Sequence, residues 1–293
     1  MPLIGLGTWK SLPSEAGQAV EYALTEGGYR HIDCAAAYGN EKEVGASLTK
    51  VFGSGKVGRE EIFVTSKLAN TAHARDAVRL ACETTLKDLG LEYLDLYLVH
   101  WGMAMSGGHW KIDANGVLAL EPVPYRETWE AMEELVDAGL VKAIGVANLS
   151  VAQLIDLLSY ARIKPAMNQI ELHPYLQQSR LVEFCQYRDI AVTAYSPLGR
   201  PGASEMAGKL VEDDVIVSIA NAHKKTPAQV LLRWGTQRNT VVIPKSVHPG
   251  RIQENIDIFD FELSQAEVDA VATLNRNQRL VDPYQWGKIP YFD

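Results

Sequence analysis

The chain has 293 residues, of which 47% are hydrophobic, enough to bury one large core or two modest ones. Lys and Arg total 28 against 36 Asp and Glu, so the net charge of −8 argues against a general nucleic-acid or anionic-membrane surface. The three cysteines are widely spaced and form no CxxC pair, which indicates neither a disulfide framework nor a zinc site. The start lacks a secretory signal pattern, and no apolar run approaches the roughly 18 residues of a membrane span, so we expect a cytoplasmic protein.

Short β-rich runs alternate with longer helical patterns along the whole chain. The predicted strands are 3–7, 29–33, 62–66, 94–99, 141–146, 166–170, 190–195 and 240–243. Capping boxes predict that helices begin after Ser150, Thr226 and Ser264. Eight strands with no Ser/Gly-rich linker between them favour an α/β protein with a single (β/α)8 TIM barrel domain over residues 1–293, rather than two doubly wound domains.

Two glycine patterns imitate a dinucleotide-binding fingerprint, and neither meets its requirements. Residues 53–58 match GxGxxG, but a helical pattern precedes them and a strand follows. Gly5 and Gly7 follow a strand, but Lys10 stands where the third glycine should be. Any dinucleotide must therefore be bound in another way. The histidines form no HExxH motif, so we expect no metal site.

Ionisable residues lie at the ends of three of the predicted strands. Asp33 is the last residue of one strand, Lys67 and His100 come directly after two others, and Tyr38 lies in the loop after the first of these. Because the carboxyl ends of barrel strands meet at one face, we expect the four side chains to converge there. Taken singly, they also fit a structural ion pair, a rim aromatic and a core histidine, but together they are typical of a site that shifts a pKa.

These four groups predict proton transfer to a bound substrate. A Lys67 ammonium beside Tyr38 should lower the phenol pKa from its ordinary value of about 10. Asp33 would keep Lys67 charged, and His100 can donate a hydrogen bond to a carbonyl oxygen. None of the four supplies hydride, so the reductant must be a cofactor. A Schiff base on Lys67 is an alternative, which a protonated lysine disfavours.

The chain resembles the aldo-keto reductase family, in particular its aldose and aldehyde reductase branch. The resemblance lies in GLGTWK at 5–10, YRHIDCAAAYGNE at 29–41, SKL at 66–68, LDLYLVHW at 94–101 and IPKSV at 243–247. It implies a monomeric (β/α)8 barrel that binds NADPH without a Rossmann fold and reduces a small carbonyl substrate. It also implies long loops at the carboxyl face, a C-terminal tail from 281 to 293 over the site, and a catalytic tetrad of Asp33, Tyr38, Lys67 and His100.

The same resemblance implies which residues bind the cofactor and the substrate. Asn148 and Gln169 would hold the carboxamide, and Tyr195 would stack under the nicotinamide. The remaining implied cofactor contacts are Gly7, Thr8 and Trp9, then Ser196 and Leu198 at the pyrophosphate, Lys245, Ser246, Val247 and Arg251 around the 2′-phosphate, and Glu254 and Asn255 near the adenine. The implied substrate contacts are Trp9, His100, Trp101 and Trp110.

The chain departs from this family pattern at several positions. Ala147 removes a hydroxyl beside the carboxamide, and Gly102 replaces a proline, which frees the backbone next to His100. The segment from Arg200 to Gly202 lacks the acidic residue that latches a loop over the pyrophosphate, which predicts faster cofactor exchange. His248 replaces a threonine beside the 2′-phosphate, so NADPH is expected while NADH use stays open.

The sequence is compatible with two functions. The first is NADPH-dependent reduction of aldehydes, with ketones and sugars as further candidates, in which Tyr38 is the general acid. The second is an NADPH-binding redox sensor or structural barrel whose catalysis is vestigial.

Overall fold

The computed structural model describes residues 1–106, 111–200 and 208–293. Within these ranges eight parallel strands lie inside a layer of helices. The strands are β1 (Leu6–Gly7), β2 (His31–Asp33), β3 (Phe63–Leu68), β4 (Leu96–Val99), β5 (Ile144–Ala147), β6 (Met167–Glu171), β7 (Ala191–Tyr195) and β8 (Val241–Val242). The α-helices are α1 (Pro13–Thr25), α2 (Glu41–Gly53), α3 (Arg75–Leu89), α4 (Tyr125–Asp137), α5 (Val151–Tyr160), α6 (Ser179–Tyr187), α7 (Asp214–His223), α8 (Pro227–Gln237), α9 (Pro249–Ile256), α10 (Gln265–Ala272) and α11 (Pro283–Gly287).

Each strand pairs in parallel with the next one along the chain, in the order β1 to β8. The sheet closes on itself where Ile4, ahead of β1, forms a parallel bridge with Val242 of β8. The N–H of Gly5 donates to the Val242 carbonyl at 2.9 Å across this seam. The predicted (β/α)8 barrel is therefore confirmed, and its strands end together at one face.

The observed elements follow the local chemistry of the chain. Strands β4, β5 and β6 are buried along their whole length, as parallel strands covered on both faces must be. All three predicted capping boxes are present, at Ser150, Thr226 and Ser264, where the side chain accepts from the N–H three residues on. Helix α2 ends at Gly53 and a short 3₁₀ turn at Arg59–Glu61 leads into β3, so residues 53–58 are the predicted helix-to-strand connection.

The predicted limits differ from the observed ones at every strand, by up to three residues at an end, and the differences at β1, β8 and β3 concern the seam and the site. β1 and β8 have only two residues each, shorter than the predicted 3–7 and 240–243, because pairing at the seam is limited to an isolated bridge. β3 continues to Leu68, since Lys67 and Leu68 still pair with β4. Lys67 therefore lies within a strand rather than after it, and the backbone on both sides of this residue is held by the sheet.

A second apolar cluster lies apart from the main core. Trp101, directly beyond His100, is packed by the C-terminal residues: its ring centroid lies 5.9 Å from that of Trp286, 5.3 Å from that of Tyr291 and 6.0 Å from that of Phe292. The end of the chain thus lies over the carboxyl end of β4. The expected tail over the site is present.

Candidate active site

Four polar side chains meet at the carboxyl ends of β2, β3 and β4. Asp33 is the last residue of β2, Tyr38 ends a 3₁₀ turn at Ala36–Tyr38, Lys67 lies in β3, and His100 directly follows β4. Asp33 and Lys67 are fully buried, while Tyr38 and His100 are half-buried and line a cavity. The structure therefore brings together the four residues that the sequence singled out.

The Lys67 ammonium is the centre of this group. Its Nζ donates to Asp33 Oδ1 at 2.6 Å, to the Cys34 carbonyl at 2.8 Å and to the Tyr38 hydroxyl at 3.0 Å. An ammonium has three N–H donors, so all of them are used. Gln169 Nε2 donates to the second oxygen of Asp33 at 2.7 Å. Both oxygens of the Asp33 carboxylate are therefore held, one by Lys67 and the other by Gln169.

These contacts decide the charge of Lys67. Burial by itself lowers the pKa of the ammonium, but the Asp33 carboxylate, the Tyr38 oxygen and the hydrogen bonds to both together raise it above its ordinary value. Lys67 is therefore positively charged and has no lone pair to offer. This geometry argues against a Schiff-base mechanism at Lys67.

The predicted direction of the Tyr38 shift is wrong. Burial raises the pKa of Tyr38 to about 12, and the lowering by Lys67 does not overcome it. The reason is that desolvation penalises a phenolate more than one neighbouring ammonium stabilises it, since that ammonium is already paired with Asp33. At neutral pH Tyr38 keeps its proton, which lies on an oxygen that accepts from Lys67.

His100 is held through its backbone and faces Tyr38 through its ring. The Asn148 amide donates to the His100 carbonyl at 2.9 Å, and the rings of His100 and Tyr38 are edge to face with centroids 5.8 Å apart. Burial and the charge of Lys67 hold the pKa of His100 well below its ordinary range. The imidazole is therefore neutral, with one N–H and one lone pair.

Asn148 also links the site to β7. Its Oδ1 accepts from the Tyr195 hydroxyl at 2.8 Å, and its backbone adopts a left-handed conformation (φ 64°), which asparagine tolerates better than most residues. Both ends of the Asn148 amide are thus used within the protein. Ala147 is buried in β5 and adds no polar group here.

A cavity of about 900 Å³ runs from Tyr38 to α9. Of the residues expected to bind cofactor or substrate, it is lined by Gly7, Trp9, His100, Trp101, Asn148, Gln169, Tyr195, Ser196, Leu198, Lys245, Ser246, Val247, Arg251, Glu254 and Asn255. Thr8 does not line it: this side chain is buried and donates to the Asp33 carbonyl at 2.9 Å. Trp110 lies outside the described residues.

The far end of the cavity suits an anionic group. Lys245 and Arg251 are exposed there, and within the described ranges no carboxylate pairs with either of them. Glu254 is instead engaged by the Thr226 hydroxyl at 2.7 Å. Two free cations at one end, and the Asp33–Lys67–Tyr38 group at the other, fit a long ligand with a phosphate at its tail.

Lys10 and Leu280 line the cavity although the sequence did not assign them to it. Arg200 and Val281, which the sequence placed in the loop after β7 and in the tail, line it as well. Glu171, at the end of β6, is buried and accepts from the backbone N–H groups of Leu280 and Val281 at 2.8 and 2.9 Å. The pairing spans more than a hundred residues, so no local pattern could predict it.

Two further findings concern the described part of the chain as a whole. No helix in the described part of the chain is both long and apolar enough to cross a membrane. Among the same residues, no group of three or more His, Cys, Asp or Glu side chains is arranged to hold a metal ion.

A protonated phenol supported by a buried ammonium, at one end of a long cavity with cations at the other, defines a barrel oxidoreductase that depends on a bound cofactor. The aldo/keto reductase family model matches residues 3–276. The chain is 52% identical over 289 residues to aldo-keto reductase family 1 member A1-A of Danio rerio, covering 97% of this chain and 89% of the relative. It is 49% identical to aldose reductase B of Dictyostelium discoideum, covering 100% and 95%.

Solved structures give the same result. Aldose reductase from Schistosoma japonicum superimposes with a TM-score of 0.91 at 48% identity, covering 97% of this chain and 92% of that one. Aldose reductase from Giardia lamblia superimposes with a TM-score of 0.94 at 42% identity, covering 99% of this chain and 98% of that one. The chain therefore belongs to the aldo/keto reductase family and is an NAD(P)H-dependent oxidoreductase that acts on carbonyl groups.

Proposed function

We propose that this chain reduces aldehydes to alcohols with NADPH, with Tyr38 as the general acid, and that ketones and sugars are further candidate substrates. The observation that carries the proposal is the 3.0 Å contact between Lys67 Nζ and the Tyr38 hydroxyl, with Asp33 holding the ammonium. The cofactor, when bound, supplies hydride to the carbonyl carbon. The chain's own residues orient the carbonyl and deliver the proton.

Tyr38 suits the role because it stays protonated until it is needed. An alkoxide is a stronger base than a phenolate, so a hydroxyl whose pKa is about 12 still gives up its proton to the oxygen as charge develops there. Lys67, donating to the same hydroxyl oxygen, stabilises the phenolate that results. Asp33 and Gln169 keep Lys67 in place through this step.

His100 is assigned as the group that orients the substrate oxygen. Its Nδ1 is buried with no hydrogen-bond partner among the described residues. We therefore assign the single proton to Nε2, which leaves this N–H to donate to a carbonyl in the cavity. A neutral donor of this kind stabilises developing negative charge without competing with Tyr38 for the proton transfer.

The cofactor assignment rests on which residues line the cavity. Asn148, Gln169 and Tyr195 lie at the end near Tyr38, as carboxamide and ring contacts of a nicotinamide would. Lys245 and Arg251, at the far end, suit the 2′-phosphate that distinguishes NADPH from NADH. NADPH is therefore proposed as the preferred cofactor, and NADH is retained as an outcome of the test.

The remaining assignments follow from the family. We propose that residues 1–293 form one barrel domain that acts as a cytoplasmic monomer on a small carbonyl substrate. Trp9, Trp101 and the tail residue Trp286 give that substrate an aromatic wall. Such a wall favours medium-sized or aromatic aldehydes.

The test is a panel of aldehydes, ketones and sugars assayed with NADPH and with NADH, following loss of the reduced cofactor's absorbance. We expect turnover of aldehydes with NADPH and its loss in Tyr38→Phe. Tight NADPH binding with negligible turnover across the panel would instead identify a sensor or structural barrel. Undiminished turnover in Tyr38→Phe would overturn the assignment of the general acid.

A further inference from the structure

Residues 275–280, which lead into the tail, lie along the loop that follows β6. The backbone N–H groups of Arg276 and Gln278 both donate to the Tyr175 carbonyl, at 3.1 and 3.0 Å. Backbone hydrogen bonds of this kind fix how one segment lies against another. The chain therefore reaches the cavity along a path that the loop after β6 defines.

Glu171, at the end of β6, binds the last two N–H groups of that path. Its Oε1 accepts from the Leu280 N–H at 2.8 Å, and its Oε2 accepts from the Val281 N–H at 2.9 Å. Leu280 and Val281 both line the cavity. A slip of the chain by one residue would break both bonds, so the carboxylate decides which two residues enter the cavity wall.

The Glu171 side chain is itself held in one orientation. It is fully buried, and its Oε1 also accepts from His173 Nε2 at 2.9 Å. We assign the ring proton to Nε2, because Nδ1 of His173 is buried with no hydrogen-bond partner among the described residues. The Glu171 carbonyl accepts from Gln178 Nε2 at 2.6 Å, and its backbone pairs with Tyr195 of β7. Both the backbone and the carboxylate are therefore fixed.

No lysine or arginine in the described ranges forms an ion pair with Glu171, whose one such partner there is His173. Burying a carboxylate is costly, so the N–H donors of His173, Leu280 and Val281 must stabilise this one. Two of these three donors belong to the chain that enters the cavity wall. The carboxylate and the start of the tail thus stabilise each other.

Leu280 lies on the Trp9 side of the cavity. Arg200 contacts both residues: its guanidinium carbon is 5.0 Å from the centroid of the Trp9 ring, and its Nη1 donates to the Leu280 carbonyl at 3.1 Å. Glu171 lies outside the cavity wall. Any effect of Glu171 on a substrate must therefore pass through the residues that it holds.

We propose that Glu171 is a positioning residue that sets substrate selectivity from outside the cavity, by fixing Leu280 and Val281 in the cavity wall. The inference rests on the proposed function, which places a carbonyl substrate against the aromatic wall. A wall that is already ordered binds the apolar part of a substrate without a further loss of chain entropy. Glu171 therefore favours aromatic aldehydes, which reach Leu280, over short alkanals, which do not.

The test compares kcat/KM for a naphthaldehyde and for propanal with NADPH in the wild type and in Glu171→Gln. Whichever way the new amide is turned, its NH₂ group faces a tail N–H, so a hydrogen bond is lost. The ratio of the two kcat/KM values should fall about tenfold, through KM for the naphthaldehyde. The constants for propanal and the Kd of NADP⁺ should not change.

Leu280→Ala tests whether Glu171 acts through the residue that it holds. This variant removes the positioned side chain and leaves the anchor, so it should lower the same ratio. The double variant should fall no further than the lower of the two single variants. Fully additive losses would overturn the proposal, because Glu171 would then act by another route.

Glu133→Gln is the matched control. Glu133 of α4 is also a buried carboxylate outside the cavity wall, and it accepts from the Ile163 N–H at 2.8 Å. We expect it to keep the wild-type ratio. An equal fall of the ratio in Glu133→Gln and Glu171→Gln would show a general loss of stability and would overturn the proposal.

Amide hydrogen exchange gives a readout without turnover. Exchange at residues 280 and 281 should be about tenfold faster in Glu171→Gln than in the wild type, and unchanged in Glu133→Gln. Should Glu171→Gln not fold, His173→Phe removes only the donor that orients the carboxylate, and it should lower the ratio by less. A wild-type ratio in every folded variant of this pair overturns the role of Glu171 alone. No turnover of either aldehyde by the wild type would instead overturn the proposed function.

Discussion

At the scale of single residues, the site depends on a charge in an unfavourable place. Removing an ammonium from water costs several kcal/mol, and Lys67 is fully buried. Its three hydrogen bonds and the Asp33 carboxylate offset that cost, so the two residues stabilise each other only as a pair. Tyr38 gains a partner for its oxygen from this arrangement, but not a lowered pKa.

Breaking the pair on one side should therefore be costly. Lys67→Met leaves Asp33 as a buried, uncompensated carboxylate, and we expect the free energy of unfolding to fall by about 3–5 kcal/mol. The double variant Asp33→Asn, Lys67→Met should recover part of this loss, because neither charge remains. Chemical denaturation measures both. Lys50→Met, which breaks the exposed pair with Glu21, should cost at most about 1 kcal/mol. An equal loss of stability in Lys67→Met and Lys50→Met would show that burial of the pair does not set the cost.

The raised pKa of Tyr38 makes a prediction about pH. Because the pKa of the Tyr38 hydroxyl is about 12 and His100 stays neutral, neither group changes its charge in the usual assay range of pH. The single-turnover rate constant for reduction should be flat between about pH 6 and about pH 10. Rapid-mixing measurements with NADPH in excess test this. A break near neutral pH would show that one of the two pKa directions is wrong.

At the scale of elements, the C-terminal tail is part of the pocket wall. It is held at its start by Glu171 and Arg200, and at its end by Tyr291, whose hydroxyl accepts from the Gly102 N–H at 2.9 Å. The backbone N–H of Gly102, two residues beyond His100, thus binds the tail. A proline at 102 would remove this donor.

Loss of that contact should affect substrates more than cofactor. Tyr291→Phe keeps the ring on Trp101 but removes the acceptor, so we expect KM for bulky aldehydes to rise several-fold, as for one lost hydrogen bond, with kcat and the Kd of NADPH unchanged. Tyr284→Phe, an exposed tyrosine of the same tail, should match the wild type. A change confined to the Kd of NADPH would count against this role for the tail.

At the scale of the whole molecule, pH should alter stability through a carboxyl outside the active site. Glu41 of α2 is buried and accepts from Ser66 of β3 at 2.5 Å and from Thr85 of α3 at 3.1 Å. Burial raises its pKa from 4.5 to about 7, although these hydrogen bonds oppose the shift. The folded protein therefore holds this proton more tightly than the unfolded chain does.

A group with a raised folded pKa contributes stability at low pH and loses it as pH rises. For Glu41 the loss of stability should extend from about pH 4.5 to about pH 7. Glu41→Gln should remove this pH dependence. At pH 8 we expect the variant to be more stable than the wild type by up to about 3 kcal/mol, with the difference vanishing near pH 4. Denaturation across this range measures it, with Glu43→Gln as the control for removing one charge from α2. A difference that does not depend on pH would contradict the shift.

The sequence predicted a residue's role only where the signal for that role was local in the chain. Asp33, Lys67 and His100 were identifiable because each stands at the carboxyl end of a buried strand, where a barrel gathers its functional groups. The shift of Tyr38 was not, because its direction depends on burial, a property of the folded whole. The contacts of the tail with Glu171 and Gly102 join residues more than a hundred positions apart, and no periodicity encodes such pairings.

Tyr38, supported by Lys67 and Asp33, is proposed to deliver the proton to the reduced carbonyl. Its most direct test is the single-turnover rate constant of Tyr38→Phe with an aldehyde and NADPH, measured beside the Kd of NADP⁺ for the same protein. We expect a rate constant lower by about 10²- to 10⁴-fold with an unchanged Kd, because only the proton donor is lost. A rate constant equal to that of the wild type would contradict it.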